Sequence, residues 1–305
     1  MADHDPVKFL RDPIDYVDGI AVFSPGDRYV DNYKKIALDH VGAVAATGNN
    51  PFMDEELWVE LEESTRSLIE KHLPDGARVL DAGVGLGRLM GRMTRLDRYG
   101  IDISIDYLKI ARDKGFKVAF SKIEDMPYED GAFDAVVVCD VLEHVIDLHA
   151  CCVQLLRVLK PGGSLILRVP YLDDMAAYLD DSLPYDLIHV RSFDVPSLRI
   201  LFSKIHGMTY EEHTFSRPYL KDSLFKVKLF PGDSRLRQLA SEADGPDHPL
   251  WTLKNVASVT HEAYRNWVYG LRDGNPALLK ELLPDLAEAL EVNMVFRKIW
   301  CTDRQ

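Results

Sequence analysis

Residues 79–87 read Val-Leu-Asp-Ala-Gly-Val-Gly-Leu-Gly, and their types and spacing suit a backbone that binds a ligand. Two aliphatic residues lead into Asp81, after which Gly83, Gly85 and Gly87 follow at every second position. This order predicts a buried parallel strand that ends in a tight turn. Glycine is needed in such a turn because side chains would hold the ligand away and because the backbone can require a positive φ.

Acidic residues follow the next strands of the predicted sheet, at the points where those strands end. Asp102 ends the second strand, where a carboxylate can accept both hydroxyls of a ribose. Segment 124–127, Glu-Asp-Met-Pro, follows the third strand, where an acid and an apolar residue can hold an adenine amino group and cover its ring. Asp140 ends the fourth strand. Because ligands of open parallel sheets bind at the carboxyl ends of strands, these residues predict one nucleoside site.

The elements that position these residues alternate between strands and helices of about ten residues, which is typical of a parallel sheet covered on both faces. We expect an α/β, Rossmann-like, seven-stranded and mostly parallel sheet with helices on both faces. The predicted strands are 78–81, 99–103, 117–120, 133–140, 164–169, 208–216 and 292–300. The predicted helices of the core are 87–95, 105–114 with Ser104 as its cap, and 147–159.

Two further parts flank this core. Residues 1–72 predict an N-terminal helical cap, with a loose arm and helices at 29–46 and 54–72. The core of alternating strands and helices spans 73–216, and its last strand lies in 291–305. Residues 217–290 predict a helical insertion that forms a lid or a dimer contact, with helices at 219–228, 233–243, 255–270 and 276–290.

The spacing of the glycines separates two nucleoside ligands. A dinucleotide fingerprint is Gly-x-Gly-x-x-Gly, with a helix N-terminus that holds a pyrophosphate. Here the third glycine comes one residue too early, and Asp81 would repel a pyrophosphate. A ligand that carries a cationic amino group, a ribose and an adenine suits these residues better, and S-adenosylmethionine has all three.

Several segments together resemble the class I S-adenosylmethionine-dependent methyltransferases, above all the small-molecule branch that includes ubiquinone-type methyltransferases. The likeness covers residues 75–170 well and 185–216 loosely. Segment 189–198 is similar to a segment of related bacterial enzymes, some of which act on sugars or cell-envelope precursors. The segments that carry the resemblance are 79–87, Asp102, 124–133, 139–145 and 159–163.

The resemblance implies roles by position. Asp81 would contact the amino group of the methionine moiety, which Ala82, Gly83, Gly85 and Gly87 would line. Asp102 would hold the ribose, and Ile103 would pack on the adenine. Asp125 would accept a hydrogen bond from the adenine amino group with Met126 beside it, and Asp140 and Val141 would flank the sulfonium. S-adenosylhomocysteine would be the product.

The candidate catalytic residues are His144, just past the fourth strand, and His189, after the fifth. A hydroxyl acceptor usually needs a base or a metal, whereas an amine needs only to arrive unprotonated. O-methylation of a small molecule is favoured over N-methylation of an amine or amino sugar. Asp147 and His149 could join His144 at a metal, but we expect no metal. Transfer of another group of the donor, or a binding subunit without activity, are the alternatives.

Composition narrows the partners further. The chain has 305 residues, with 36 Lys and Arg against 49 Asp and Glu, for a net charge of −13. So acidic a chain suits a small-molecule acceptor better than nucleic acid, which requires a basic surface. The sequence shows neither a signal peptide nor a membrane span, and four cysteines lack the spacing of a zinc site. We therefore expect a cytoplasmic protein without a membrane partner, which could form a homodimer.

Overall fold

The structure is a computed structural model that describes residues 6–53, 55–179, 183–216, 269–282 and 289–299. The chain forms two compact units, Met1–Ser216 with Glu291–Gln305, and Arg217–Leu290. Of the second unit, a short helix, α6, is described over Pro276–Leu282. The helices expected at 219–228 and 233–243, and nearly all of the one at 255–270, lie outside the described residues.

The first unit is built on one sheet of nine strands in the order β1-β2-β5-β4-β3-β6-β7-β9-β8. Strands β2, β5, β4, β3, β6 and β7 run parallel to one another, while β1 is antiparallel to β2, and β9 is antiparallel to both β7 and β8. The mostly parallel, Rossmann-like sheet with its seven expected strands is therefore confirmed. These seven strands are β3 Arg78–Ala82, β4 Asp97–Asp102, β5 Lys117–Phe120, β6 Phe133–Cys139, β7 Leu159–Pro170, β8 Thr209–Ser216 and β9 Glu291–Arg297.

Two additional strands belong to the segment that was expected to be a helical cap with a loose arm. Strands β1, Asp15–Val17, and β2, Ile20–Val22, form a hairpin, and β2 extends the sheet beside β5. Asp18 and Gly19 connect them with φ angles of 51° and 76°. An Asp-Gly pair with positive φ at both positions is the usual two-residue hairpin turn. Strands of three residues are too short to show an alternating pattern, which is why the expectation was wrong here.

Helices cover the sheet close to the expected positions. Helix α1 spans Arg28–Thr47 and α2 spans Glu55–His72. Helix α3, Ile105–Asp113, begins at Ser104, whose side chain accepts a hydrogen bond from the Tyr107 amide as expected of an N-cap. Helix α4 spans Leu148–Val158, and α5, Val195–Arg199, continues into a π-helical turn over Ile200–Ile205. Among the described residues, no helix is both long and apolar enough to cross a membrane.

The helix expected over 87–95 is absent, and consecutive turns replace it. The guanidinium of Arg98 donates to the carbonyl oxygens of Met90 and Gly91 at 2.9 and 2.7 Å. These carbonyls would otherwise accept helical hydrogen bonds. A Cβ at Gly91 would lie 2.5 Å from the carbonyl oxygen of Gly87, so the chain is packed too tightly there for a side chain. Met90 is nevertheless fully buried, so the spacing of apolar residues correctly indicated which residues are buried but not the backbone conformation.

A buried polar cluster fastens α2 to the edge of the sheet. The Asn293 side chain on β9 is fully buried and donates to the hydroxyls of Ser64 and Ser216 at 3.0 and 2.8 Å. Its carbonyl oxygen accepts from the Thr65 hydroxyl at 2.6 Å. Because every polar group of this amide has a partner, α2 is held in one position over β8 and β9. The face of α2 nearest the strand ends is thereby fixed in position.

Candidate functional site

A cavity of about 570 Å³ opens at the carboxyl ends of β3, β4, β6 and β7 in the first unit. The strand ends and the loops that follow them form one side of it. The opposite side, here called the N-terminal wall, consists of residues 29–40 of α1 and the loop 50–53, and α2 contributes Trp58 and Glu62. Residues from the strand-end side include Asp81, Gly83, Gly85, Asp102, Ile103, Ser121–Glu124, Asp140, Val141, Glu143, His144, Arg168, His189 and Glu291.

The glycine turn after β3 has the positive φ angles that the sequence suggested. Gly83 has φ 92° and Gly85 has φ 49°. A Cβ at Gly83 would lie 2.3 Å from Cγ2 of Val141, so close packing by the protein itself demands glycine at this position. A Cβ at Gly85 would meet no atom within 4 Å, and this glycine borders the open cavity. Gly85 is therefore the position at which a ligand can approach the backbone.

Two carboxyl groups lie at the ends of the neighbouring strands. Asp102 accepts hydrogen bonds from the backbone amides of Gly85 and Ser104, both at 2.9 Å. Burial raises the pKa of Asp102 to about 6, although these hydrogen bonds oppose the shift. The pKa of Asp81 is raised well above its ordinary range by burial and by the charge of Asp102. Such perturbed acids in a cavity are typical of binding sites.

The loop after β5 faces the cavity with different residues from those expected. Asp125 turns away, and its carboxylate pairs with the guanidinium of Arg11 at 2.8 Å and accepts from the Ser24 hydroxyl at 2.9 Å. Met126 is buried outside the lining of the cavity. Both partners of Asp125 come from the N-terminal segment about a hundred residues away, which local sequence could not reveal. Residues 121–124 line the cavity in place of Asp125 and Met126.

Asp140 has a backbone conformation that is uncommon for any residue but glycine, with φ 55°. Its carboxylate pairs with the buried guanidinium of Arg168, which is 5% exposed. Arg168 also pairs with Glu291 at 2.7 Å and donates to the Thr65 hydroxyl at 3.2 Å. Burial, with the charge of Asp140, raises the pKa of Glu291 to about 8. This network fixes the loop that begins at Asp140, and hence the position of the residues that follow it.

The loop after β6 brings a carboxyl group and two imidazoles together. Nδ1 of His144 lies 2.8 Å from the carbonyl oxygen of Ile188, and the ring of His189 lies 4.7 Å from that of His144 between centroids. Nδ1 of His189 lies 2.5 Å from the carboxylate of Asp173. Burial and the neighbouring His189 lower the pKa of His144 to about 4. Glu143 is 1% exposed, and burial with the charge of Asp140 raises its pKa well above the ordinary range.

Among the described residues, Glu143, His144 and His189 form a group whose ligand atoms lie within 4.8 Å of one another. The grouping considered from the sequence is not formed. The carboxylate of Asp147 caps α4 by accepting from the Ala150 amide at 2.9 Å, and His149 stacks on His206. The fold thus replaces Asp147 and His149 with Glu143 and His189, which are distant from each other in sequence.

The N-terminal wall is bonded to segment 183–189. The Asn32 side chain donates to the Leu187 carbonyl at 2.7 Å and accepts from its amide at 3.2 Å. The Tyr185 hydroxyl donates to Asp39 at 2.7 Å. Five aromatic side chains of the wall line the cavity: Tyr29, Tyr33, His40, Phe52 and Trp58. Tyr107 on α3, and Tyr178 and Tyr185 after β7, line it from outside the wall.

Arg88, from the turns that replace the expected helix, closes the cavity beside α2. Its guanidinium lies 3.6 Å from the centroid of the Trp58 ring and pairs with Glu55 at 2.8 Å and with Glu62 at 3.1 Å. A cation over an indole face is stabilised by the ring quadrupole. Arg88 therefore holds Trp58 in one orientation at the edge of the cavity.

Comparison with known proteins agrees with this architecture. Residues 80–167 match a family described as "Methyltransferase domain". The ubiquinone biosynthesis O-methyltransferase of Xanthomonas oryzae pv. oryzae is 34% identical over 161 residues, which cover 45% of this chain and 67% of that protein. The chain belongs to the class I S-adenosylmethionine-dependent methyltransferases. An uncharacterized protein of Methanocaldococcus jannaschii is 37% identical over 101 residues, and the match spans 33% of this methyltransferase and about half, 48%, of that relative.

Solved structures share the fold of this methyltransferase. A methyltransferase of Haloferax volcanii, solved with the Trm112 methyltransferase activator, is 16% identical with a TM-score of 0.54, over 90% of this chain and 100% of that one. An S-adenosylmethionine-dependent methyltransferase of Thermotoga maritima, described as a possible histamine N-methyltransferase, is 17% identical with a TM-score of 0.50, over 88% and 99%.

The fold collects most of the site residues expected of such a methyltransferase. Ala82 and Gly87 do not line the cavity: Ala82 is fully buried, and Gly87 packs against α3, where a Cβ would come within 3.2 Å of the Ala111 backbone. The cavity residues that the sequence did not predict include three charged ones, Glu62, Arg168 and Glu291. Glu62 lies on an acidic helix face that the sequence predicts to be exposed to solvent. Arg168 and Glu291 lie in strands, and no sequence motif indicates a functional role for them. The remaining expected residues, Asp125 and Met126 excepted, all line the cavity.

Proposed function

We propose that this methyltransferase transfers the methyl group of S-adenosylmethionine to a hydroxyl group of a small organic molecule. One observation carries the proposal. The polar groups suited to a nucleoside, Gly85 and Asp102, line the same cavity as the cluster of Glu143, His144 and His189. A donor site and a site able to handle a hydroxyl proton are therefore continuous.

The donor half of the cavity fits S-adenosylmethionine through its own residues. Each oxygen of Asp102 accepts one backbone hydrogen bond and has a further lone pair that can accept from a ribose hydroxyl. Ile103 lines the cavity beside it, where an adenine ring can pack. We assign the adenine edge to residues 121–124 rather than to Asp125. Asp81 and Gly83 face the methionine moiety, and Asp140 and Val141 flank the sulfonium.

S-adenosylmethionine, when bound, supplies a methyl group that its sulfonium has already activated for displacement. What the protein adds is alignment of the acceptor oxygen and exclusion of water. The aromatic N-terminal wall, with Tyr29 and Tyr33 facing the strand ends, shields the reacting atoms and offers flat apolar faces to the acceptor. These faces favour a planar or aromatic hydroxyl compound.

The acceptor hydroxyl must lose its proton as the new bond forms, and the histidine cluster is placed to assist. The Ile188 carbonyl accepts from Nδ1 of His144, so Nε2 of that ring carries the lone pair. The Asp173 carboxylate orients His189 in the same manner. His144 and His189 are accordingly the proposed catalytic residues. The Xanthomonas relative is an O-methyltransferase, which supports a hydroxyl group as the acceptor.

Titration calorimetry of the full chain with S-adenosylmethionine and with S-adenosylhomocysteine tests the donor site. We expect micromolar binding, and we expect Asp102→Ala to weaken it at least tenfold because the ribose hydroxyls lose a charged acceptor, worth about 1.5–3 kcal/mol. A folded wild-type protein that binds neither compound would contradict the proposal.

The acceptor class is tested by transfer of an isotope-labelled methyl group to a panel of catechols, other phenols, aliphatic alcohols and primary amines. Labelling of hydroxyl compounds supports O-methylation. Labelling of amines alone would overturn it, and would assign the carboxyl groups of Glu62 and Glu291 to the binding of a cationic acceptor.

A further inference from the structure

We propose that Glu143, His144 and His189 bind a divalent transition-metal cation at the acceptor end of the cavity. The existence of this site depends only on the three side chains. Its role, as a ligand of the acceptor hydroxyl, rests on the function proposed above.

The ligand atoms are already gathered. Nε2 of His144 lies 3.6 Å from Oε1 of Glu143, and one atom from each of the three residues lies within 4.8 Å of the others. Two ligands about 2.1 Å from one tetrahedral ion lie roughly 3.4 Å apart. Side-chain movements on the order of 1 Å would therefore bring these atoms to coordination distance.

Glu143 is the observation that points to a ligand. Neither of its carboxyl oxygens, both buried, has a hydrogen-bond partner among the described residues. Buried carboxyl groups without a partner are rare because each loses its hydration without compensation. A cation held between this carboxylate and two imidazoles would compensate that loss, and the cavity that Glu143 lines gives the cation a path of entry.

Both imidazoles are oriented as metal ligands usually are. A ligating histidine commonly donates its second ring N–H to a carbonyl or a carboxylate, which fixes the ring and its tautomer. His144 does so to the Ile188 carbonyl, and His189 does so to Asp173. The Tyr178 hydroxyl in turn donates to Asp173 at 2.8 Å. Each Nε2 atom is thereby left with a lone pair, and both residues line the cavity.

The two chain segments that carry the ligands are tied together around the cluster. The Val190 amide donates to the carbonyl oxygen of Glu143 at 2.9 Å. The guanidinium of Arg191 donates to the carbonyl oxygens of Leu142, at 2.7 Å, and Ile146, at 3.1 Å. Ligands held by such cross-links lose little freedom when an ion binds, which favours affinity.

Two imidazoles and one carboxylate suit Zn²⁺, Mn²⁺, Fe²⁺ or Co²⁺ better than Mg²⁺ or Ca²⁺, which prefer oxygen ligands. Three protein ligands leave open positions, as at catalytic metal sites. An acceptor hydroxyl that occupies one of them would release its proton to water, because cations of this kind lower the pKa of a bound hydroxyl. The O–CH3 bond then forms as the S–CH3 bond breaks, and neutral S-adenosylhomocysteine is released.

The test is metal binding by the full chain in the absence of donor and acceptor. After treatment with a chelator, the protein is titrated with Co²⁺, whose visible absorption reports coordination by nitrogen ligands, and with Zn²⁺ by calorimetry. The variants are Glu143→Gln, which preserves shape, and His189→Asn. Asp173→Asn tests the orienting contact, and His149→Asn is the matched control, because His149 is exposed and stacks on His206 away from the cluster.

We expect one equivalent of metal with micromolar or tighter affinity, a loss of at least 100-fold in Glu143→Gln and His189→Asn, and no change in His149→Asn. Loss of a partner such as Asp173 typically weakens metal binding about 10–100-fold. Wild-type protein that binds neither ion at millimolar concentration would overturn the proposal, as would equal affinity in Glu143→Gln and wild type. If one variant fails to fold by circular dichroism, the other decides.

The same measurements separate this site from the function proposed for the chain. Metal binding with no binding of S-adenosylmethionine would contradict that function and leave the site standing. Methyl transfer that persists in a protein shown to bind no metal would overturn the site and leave the function standing, with the two histidines acting directly on the hydroxyl.

Discussion

The glycine turn offers a matched pair of substitutions that separates ligand binding from stability. Gly85 and Gly76 both have positive φ, 49° and 80°, and a Cβ at either would meet no protein atom within 4 Å. Alanine at either position should therefore lower the free energy of unfolding by about 1–2 kcal/mol, because its Cβ disfavours the left-handed backbone but clashes with no protein atom. For a unit of this size that corresponds to a lower Tm by roughly 2–8 °C. Only Gly85 borders the cavity.

S-adenosylmethionine in direct contact with the backbone of Gly85 would meet the added methyl group of Gly85→Ala. An extra methyl group in a packed contact costs about 1–3 kcal/mol, which is roughly 5- to 150-fold in Kd. We expect calorimetry to show that loss for Gly85→Ala and wild-type affinity for Gly76→Ala, with similar losses of Tm in both. Equal affinities in the two variants would refute the assignment of Gly85 to the donor site.

Two more predictions follow from the buried charges. Because burial raises the pKa of Asp102 to about 6, its contribution to folding is complete below the pKa of about 3.9 in the unfolded chain and is lost as pH rises through 6. Ribose hydroxyls would bind the ionised form of Asp102, so the affinity for S-adenosylmethionine should fall about tenfold per pH unit below pH 6. Asp102→Asn should remove most of this pH dependence. A wild-type affinity that does not change with pH would contradict the ribose assignment. Arg168→Met leaves the carboxyl groups of Asp140 and Glu291 without their cationic partner. We expect urea denaturation to show that the free energy of unfolding falls by about 3–5 kcal/mol. A loss under about 1 kcal/mol would contradict this reasoning.

The sequence predicts the central sheet well because its strands are buried on both faces. Strand β6 is an almost continuous apolar run, and such a run between turn signals is typical of a central parallel strand. The same reasoning gives the wrong structure for 87–95, where Met90 and its neighbours are apolar at helical spacing and predict a helix, but the chain forms turns. Arg98, which comes later in the chain, satisfies their carbonyl groups instead of a helix. Apolar spacing reports which residues are buried, while long-range hydrogen bonds decide the backbone that buries them.

The donor side of the site follows from the sheet in the same way. Strand ends are set by topology, so the sequence alone predicts that Gly85 and Asp102 lie together. Side-chain direction is a different matter, as Asp125 shows. It follows the expected strand, yet Arg11 and Ser24 draw its carboxylate out of the cavity. A residue whose side chain has strong partners elsewhere in the fold is lost to the site, and no sequence motif records such distant partners.

The acceptor side depends on contacts that no local pattern contains. Glu143 and His144 follow β6 directly, but His189 reaches them only because the chain after β7 returns across the cavity. Asp173 orients His189, and Asn32 on α1 fixes the returning segment through Leu187. The same N-terminal wall therefore shapes the acceptor pocket and holds the third member of the cluster in place. A change of acceptor among related methyltransferases would then require coordinated changes in residues 29–53 and 173–189, while the strand ends that serve the donor could remain as they are.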